Sequence, residues 1–228
     1  MRAFSLSVAH FSPVFWKIIF QNSDEKEHEF TKLKEELNEL NKLRETADYN
    51  TGSISNSAAF SLFHLVNYFG FTKALEVGTF IGKSTWCIAK SMEIQKTYGE
   101  IHTCDASNSI DIPWIGNTKI YQYKKTTSTE MLKKQKGEFD FCFFDGRLQD
   151  IDVNLINNLI NENVVIGLDD FEGMEKGVIN LIKLRNLVKL KNHVLIYPYT
   201  SDIVNSKFMG LSTVAVLLPK SMIYIVNQ

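Results

Sequence analysis

Five acidic residues, Glu76, Asp105, Asp145, Asp169 and Asp170, each stand at or beside the end of a short apolar run. Such runs read as buried strands, so their spacing predicts carboxylates gathered along one edge of a sheet. The first run, 74–77, passes into the turn Gly78-Thr79-Phe80-Ile81-Gly82 and then into a helical stretch at 83–90. A strand that turns sharply into a helix leaves unpaired backbone N–H groups facing the turn, at the positive end of the helix dipole. Glycines there let a ligand approach the backbone closely. The turn suits a nucleotide-like ligand, and the acids around it suit hydroxyl groups or a cation. Asp145, Asp169 and Asp170 would repel one another at one edge unless protonated, paired or bound to a cation. Oxygen ligands in that number point to magnesium, manganese or calcium rather than zinc. A hard cation would lower the pKa of an acceptor hydroxyl. The plainer alternative is that Asp169 caps the next segment and Asp170 is solvated.

Positioning these residues requires a regular scaffold. Strands are expected at 74–77, 100–104, 119–123, 139–144 and 164–168, with helices at 58–69, 83–92, 128–136, 153–161 and 174–191. Strands alternating with helices at this spacing predict an α/β fold, a mostly parallel sheet with helices on both faces. Right-handed crossovers bring the C-terminal strand ends to one edge, where ligands of such sheets bind. The tail departs from this rhythm. Segments 193–199 and 212–218 lack room for a long crossover helix and read as an antiparallel pair added to one side. Upstream, Ser23 can cap a helix running to about Glu45, apolar at Phe30, Leu33, Leu37, Leu40 and Leu43. It either packs on its own domain or binds a partner. The division expected is an N-terminal helical extension, 1–47, and one ligand-binding domain, 48–228.

The 228 residues suffice for one full-sized domain. Lys and Arg number 25 against 26 Asp and Glu, a net charge of −1, so there is no basic excess with which to grip a nucleic acid. Cys87, Cys104 and Cys142 all lie in apolar segments, which predicts reduced, packed thiols and a cytoplasmic setting. The apolar stretch 11–20 is interrupted by Pro13 and Lys17 and is too short to span a bilayer. No small-residue cleavage site follows it. It reads as an arm docking on the core or on a partner subunit, and a homodimer through the N-terminal helices is a reasonable expectation.

Three ligand classes compete for the glycine turn. A dinucleotide fold wants G-x-G-x-x-G, and this turn supplies only G-x-x-x-G. Gly82-Lys83-Ser84 reproduces the end of a phosphate-binding P-loop, and the strand closing on Asp145 could position magnesium for it. That loop is one residue short, however, with Val77 where a small residue is needed, and Glu76 would repel a polyphosphate. S-adenosylmethionine is the third class. Its sulfonium is cationic and it carries no phosphate, so acidic strand ends favour it.

On these residues the chain resembles the class I S-adenosylmethionine-dependent methyltransferases. The stretch Glu76-Val-Gly78-Thr79-Phe-Ile-Gly82-Lys-Ser84 matches their first motif, E-x-G-x-x-x-G-x-S. The resemblance covers roughly Asp48 to the C-terminus. It implies a Rossmann-like sheet whose last strand runs against the rest, with Glu76, Gly78, Thr79, Gly82 and Ser84 binding cofactor and Asp105 taking the ribose hydroxyls. Within that superfamily the chain is similar to the small-molecule O-methyltransferases of catechol and macrocin type. Thr51-Gly52-Ser53-Ile54-Ser55 resembles the segment over the methionine end of their cofactor. Thr127-Ser128-Thr129-Glu130 resembles the turn bordering the adenine, and Trp114 either covers that adenine or packs. Phe143-Phe144-Asp145-Gly146 and Leu168-Asp169-Asp170-Phe171 resemble the two places that hold a divalent metal. The implied activity is O-methylation of a small molecule, such as a sugar or other secondary metabolite, with Asp145 and Arg147 in catalytic positions.

The chain also departs from that pattern. The macrocin type has an acid where this chain has Arg147, and the catechol type has a lysine where it has Leu148. Arg147 could hold an anionic substrate or pair with Asp150 at the surface. Metal activation, a base elsewhere, or a cofactor-binding protein without catalysis all remain compatible with the residues. His64, among apolar neighbours on a helix, reads as a core histidine. His28, His102 and His193 show no ligand spacing, and Lys124-Lys125 reads as a solvated surface.

Overall fold

The structure is a computed structural model that describes residues 4–20, 23–48, 52–96, 98–107, 110–112, 115–199 and 212–226, with the backbone alone at 4–11, 23–30 and 224–226. Pro113, Trp114 and Thr51 lie outside the described residues, as does the side chain of His28.

One seven-stranded sheet forms the centre, in the order β3-β2-β1-β4-β5-β7-β6. Strands β1 (Lys73–Val77), β2 (Gly99–Asp105), β3 (Thr118–Lys124), β4 (Phe139–Phe144) and β5 (Ile160–Leu168) are parallel. β7 (Ala215–Pro219) runs antiparallel to β5 and to β6 (His193–Ile196), so it alone opposes the other six. The tail is therefore the antiparallel pair that the sequence predicts, with its later strand inserted next to β5. Helices α3 (Asn56–Phe69) and α4 (Lys83–Ile94) cover one face of the sheet, with α1 (Phe4–Ile19) beside α3 against β6 and α2 (Ser23–Leu40) packed on α3 and α4. Helices α5 (Ser128–Lys134), α6 (Asp150–Leu159) and α7 (Lys176–Leu184) cover the other. A last helix, α8 (Lys220–Val226), follows β7 and is not foreseen by the sequence reading.

Burial on both faces explains the composition of the strands. Phe141 and Phe143 of β4 enter the core under α3 and α4, while Cys142 and Phe144 enter the core under α5 and α6. β5 alternates in the same way, Val165 to one side and Val164, Ile166 and Leu168 to the other. All three cysteines are buried free thiols.

The described side chains at 12–20 and 31–47 pack on this core. Phe15, Trp16, Ile19 and Phe20 of α1 are buried in the cluster that contains Phe60 and Phe63 of α3. The Trp16 indole donates to the Tyr197 carbonyl at 2.7 Å, and the Tyr197 N–H donates to Ser12 Oγ at 2.9 Å. Leu33 and Leu37 of α2 are buried, and Glu36 accepts from Trp86 Nε1 at 2.7 Å and Lys90 Nζ at 3.0 Å. The second helix is shorter than its apolar pattern suggests. After Leu40 it tightens into a 3-10 turn, Asn41–Thr46, which brings Leu43 onto Phe80, Ile81 and Ile110.

Sheet register sets the site. Val77 pairs with both Cys104 and Phe144, and Phe144 pairs with Leu168. The residues one place further, Gly78, Asp105, Asp145 and Asp169, therefore stand side by side on four adjacent strands, about 4.8 Å apart from strand to strand. The order reverses between β1 and β4, which is the switch point where ligands of such sheets bind.

Candidate active site

The glycine turn is held from beneath. Gly78 has a φ of +106°, and a Cβ there would overlap the backbone of Asp145 and Gly146. Its N–H and that of Thr79 both donate to the Cys104 carbonyl, at 3.0 and 3.2 Å. Gly82 closes the turn at a φ of +78°, and a Cβ there would run into Ile112. Glu76 is fully buried below the turn, where it accepts the Thr85 hydroxyl of α4. Burial pushes its carboxyl above the ordinary value, against the hydrogen bonds of Ser84, Thr103 and Thr85. Lys83 is buried on the first turn of α4, and its ammonium is pushed down by burial and by Arg44.

Asp105 lies at the mouth of the turn. Its carboxylate accepts the Phe80 N–H at 2.8 Å and the Ser107 N–H at 2.9 Å. These bonds fix the side chain between the β1–α4 turn and the loop after β2. Opposite it, Thr127 and Glu130 make a capping box that starts α5. The Ser128 and Thr129 hydroxyls both donate to Asp152 on α6, a fully buried acid that also accepts the Gln149 N–H at 2.8 Å.

The acidic end of the site is built around a residue the sequence reading passes over. Lys176 opens α7, and its ammonium lies 2.6 Å from Asp145 Oδ1 and 2.9 Å from Asp170 Oδ2. Asp169 is buried and accepts the Thr213 hydroxyl at 2.5 Å. Burial, then the like charge of Asp169, pushes the Asp145 carboxyl up to about 7 against the pull of Lys176. Burial also raises Asp169. Lys176 itself is raised: burial opposes its charge, and the carboxylates of Asp145 and Asp170 outweigh that opposition.

Helix α7 is locked in place by one face of its own. Lys176, Asn180 and Lys183 recur at i, i+4 and i+7, so they share that face. Asn180 is fully buried, accepting the Leu148 N–H at 3.1 Å and donating to the Gly146 carbonyl at 2.9 Å. Lys183 donates to the Leu148 carbonyl at 2.9 Å and pairs with Asp150 at 2.7 Å. Gly177 is required because a Cβ there would overlap the Asp169 carbonyl oxygen.

A divalent ion does not fit this arrangement. It needs several oxygen ligands converging at 2.0–2.6 Å, and an ammonium already lies between Asp145 and Asp170, where the carboxylate ligands would have to meet. Among the described residues no three His, Cys, Asp or Glu side chains group so as to hold a metal.

Two cavities meet here. The larger, about 580 Å³, is lined by Gly52, Gly78, Asp105, Ser128, Asp145, Arg147 and Lys176 among others. The smaller, about 240 Å³, is lined by Gly52, Ser53, Ser55, Asp145, Asp169, Asp170, Lys176 and Thr213, with Ile54. Gly52, Asp145 and Lys176 belong to both, so the Asp145–Lys176 pair stands where they join. Of the residues expected to bind cofactor, Glu76, Thr79, Gly82 and Ser84 shape the turn from below and line neither cavity. Lys83 lines neither as well, so the P-loop-like stretch does not face the cleft. Arg147 is exposed at the rim of the larger cavity, and Asp150, its expected surface partner, pairs with Lys183 instead. Leu148 is a core residue.

Neither a family model nor a curated protein sequence matches the chain. Solved structures do. The O-methyltransferase from Bacillus cereus, in complex with SAH, is 17% identical with a TM-score of 0.56, over 80% of this chain and 90% of that one. The O-methyltransferase TomG from Streptomyces achromogenes, involved in tomaymycin synthesis and in complex with SAM, is 15% identical with a TM-score of 0.55, over 80% and 88%. At these identities the likeness is one of fold. The chain has the Rossmann-like fold of the class I S-adenosylmethionine-dependent methyltransferases.

Proposed function

We propose that the protein transfers a methyl group from S-adenosylmethionine to a hydroxyl oxygen of a small molecule. The observation that carries this reading is the Asp145–Lys176 pair at the junction of two cavities. The larger holds the cofactor, with its ribose hydroxyls on Asp105, its adenine beside Ser128 and its sulfonium near Asp145. Gly78 lets the cofactor lie against the backbone, and Glu76, Thr79, Gly82 and Ser84 keep the turn in shape for it. The smaller cavity holds the acceptor. Its hydroxyl- and carboxylate-bearing wall suits a hydroxylated molecule such as a sugar or another secondary metabolite, and Arg147 at the rim favours one with an anionic group.

When bound, S-adenosylmethionine would supply an electrophilic methyl group for in-line displacement by the acceptor oxygen, with the carbon–sulfur electron pair left on the sulfur of S-adenosylhomocysteine. Asp145 would take the acceptor's hydroxyl proton and pass it to water. Rate comes from alignment of the acceptor oxygen with the methyl group and from the loss of charge at sulfur. Calorimetric titration with S-adenosylhomocysteine, with ATP as control, tests the reading. Binding of the homocysteine compound and not of ATP is expected. Binding of ATP alone would return the Gly82-Lys83-Ser84 turn to phosphate and overturn it.

A further inference from the structure

A lysine in the first turn of a helix sits at the wrong end of the dipole, and α7 carries no acid in that turn to offset it. Lys176 is nevertheless held there by two carboxylates on separate strand ends, Asp145 and Asp170. Its position is over-determined. Gly177 lets the helix abut the Asp169 carbonyl, and Asn180 clamps the loop after β4 to the next turn. Asp170, at a φ of +50°, adopts a left-handed conformation that aspartate tolerates better than most residues.

We propose that the Lys176 ammonium is the resident cation of this acidic centre, a covalent substitute for a divalent ion, and that it excludes such an ion from the site. The positive charge neutralises Asp145 and Asp170 and occupies the space their oxygens would offer a metal. Occupancy stands on this geometry alone. The consequence for activity, turnover that needs no added metal and survives chelation, rests on the methyltransferase reading.

The test is Mn²⁺ binding followed by electron paramagnetic resonance on the full chain, with S-adenosylhomocysteine titrated separately so that failure of either idea is distinguishable. Wild type is expected to take up no stoichiometric Mn²⁺. Lys176→Ala, which frees Asp145 and Asp170 of their counter-charge beside Asp169, is expected to bind one Mn²⁺ at least about tenfold more tightly than wild type. Lys176→Met, which keeps most of the apolar stem, provides the same comparison should the alanine variant fold poorly. Adding Asp169→Asn to either is expected to weaken the new site. Stoichiometric Mn²⁺ on wild type, lost in Asp169→Asn, would overturn the proposal. So would folded Lys176 variants that bind no more Mn²⁺ than wild type.

Discussion

Asp105 and Glu76 are both strand-end acids, and their surroundings give them different work. Asp105 has its oxygens on the Phe80 and Ser107 N–H groups and still lines the larger cavity. Asp105→Asn keeps an acceptor for one of those groups and loses the charge. We expect S-adenosylhomocysteine affinity to fall about tenfold or more by calorimetry, since a hydrogen bond to a charged group is worth about 1.5–3 kcal/mol. Glu76 lines no cavity and is fully buried, and its pKa is raised above the ordinary 4.5, first by burial. A raised carboxyl favours the folded state most when protonated. That contribution is complete below 4.5, the unfolded value, and is lost as pH rises through the folded value. Glu76→Gln cannot ionise and leaves an amide oxygen for the Thr85 hydroxyl. Its melting temperature relative to wild type should therefore rise between pH 5 and pH 8. A difference that stays flat across that range would mean that folding does not raise the Glu76 carboxyl above its unfolded value.

Elements decide how precisely such residues meet, and α7 is the instructive case. Asn180→Ala would leave the buried Leu148 N–H and Gly146 carbonyl without their partner, at about 1–3 kcal/mol for each unsatisfied group. Denaturant unfolding should show that loss as a lower midpoint with an unchanged slope. Gly177→Ala should destabilise by about 1–3 kcal/mol through overpacking against Asp169. The strands, the glycine turn and the row of acids were legible in the sequence, because apolar runs and turn residues are local signals. The contacts of α7 were not. Lys176 meets Asp145 across 31 positions and Asn180 meets Gly146 across 34, so no local period marks either side chain. The helix was also expected from 174 to 191, whereas it runs from Lys176 to Leu184, with Gly173 at a φ of +57° before it and a 3-10 turn at Val188–Leu190 after it. The one local hint was a Lys-Gly pair opening a helix, where a cation and a flexible residue are both unfavourable unless something outside the helix requires them. Counting carboxylates pointed to a metal for the same reason: the count could not include a lysine brought in from another element.

At the scale of the whole molecule, the extension at 1–47 and the sheet behave as one packed body. Phe15, Trp16, Ile19, Phe20, Leu33 and Leu37 are all at most 7% exposed and share a single cluster with Phe60, Phe63, Phe141 and Phe143. Each such side chain contributes about 1.5–3 kcal/mol on burial, together on the order of 10 kcal/mol, which is as large as the net stability of a typical domain. The extension also reaches the residues that line the two cavities. Arg44 donates to Ser53 Oγ at 2.7 Å and lies over the Phe80 ring, with its guanidinium carbon 5.3 Å from the centroid. It thereby joins the segment before α3 to the glycine turn. The full chain should melt in one cooperative transition that S-adenosylhomocysteine shifts upward. A chain starting at residue 48 should lose that transition and the ligand-induced shift together, since it would expose the aromatic face of α3 and release both Ser53 and Phe80. Arg44→Ala separates the two effects. It leaves the aromatic cluster intact, so its melting temperature should stay close to wild type while the ligand-induced shift shrinks. A truncated chain that melted as sharply as the full one and bound the ligand equally well would instead make the extension an appendage, with the domain complete from residue 48 onward.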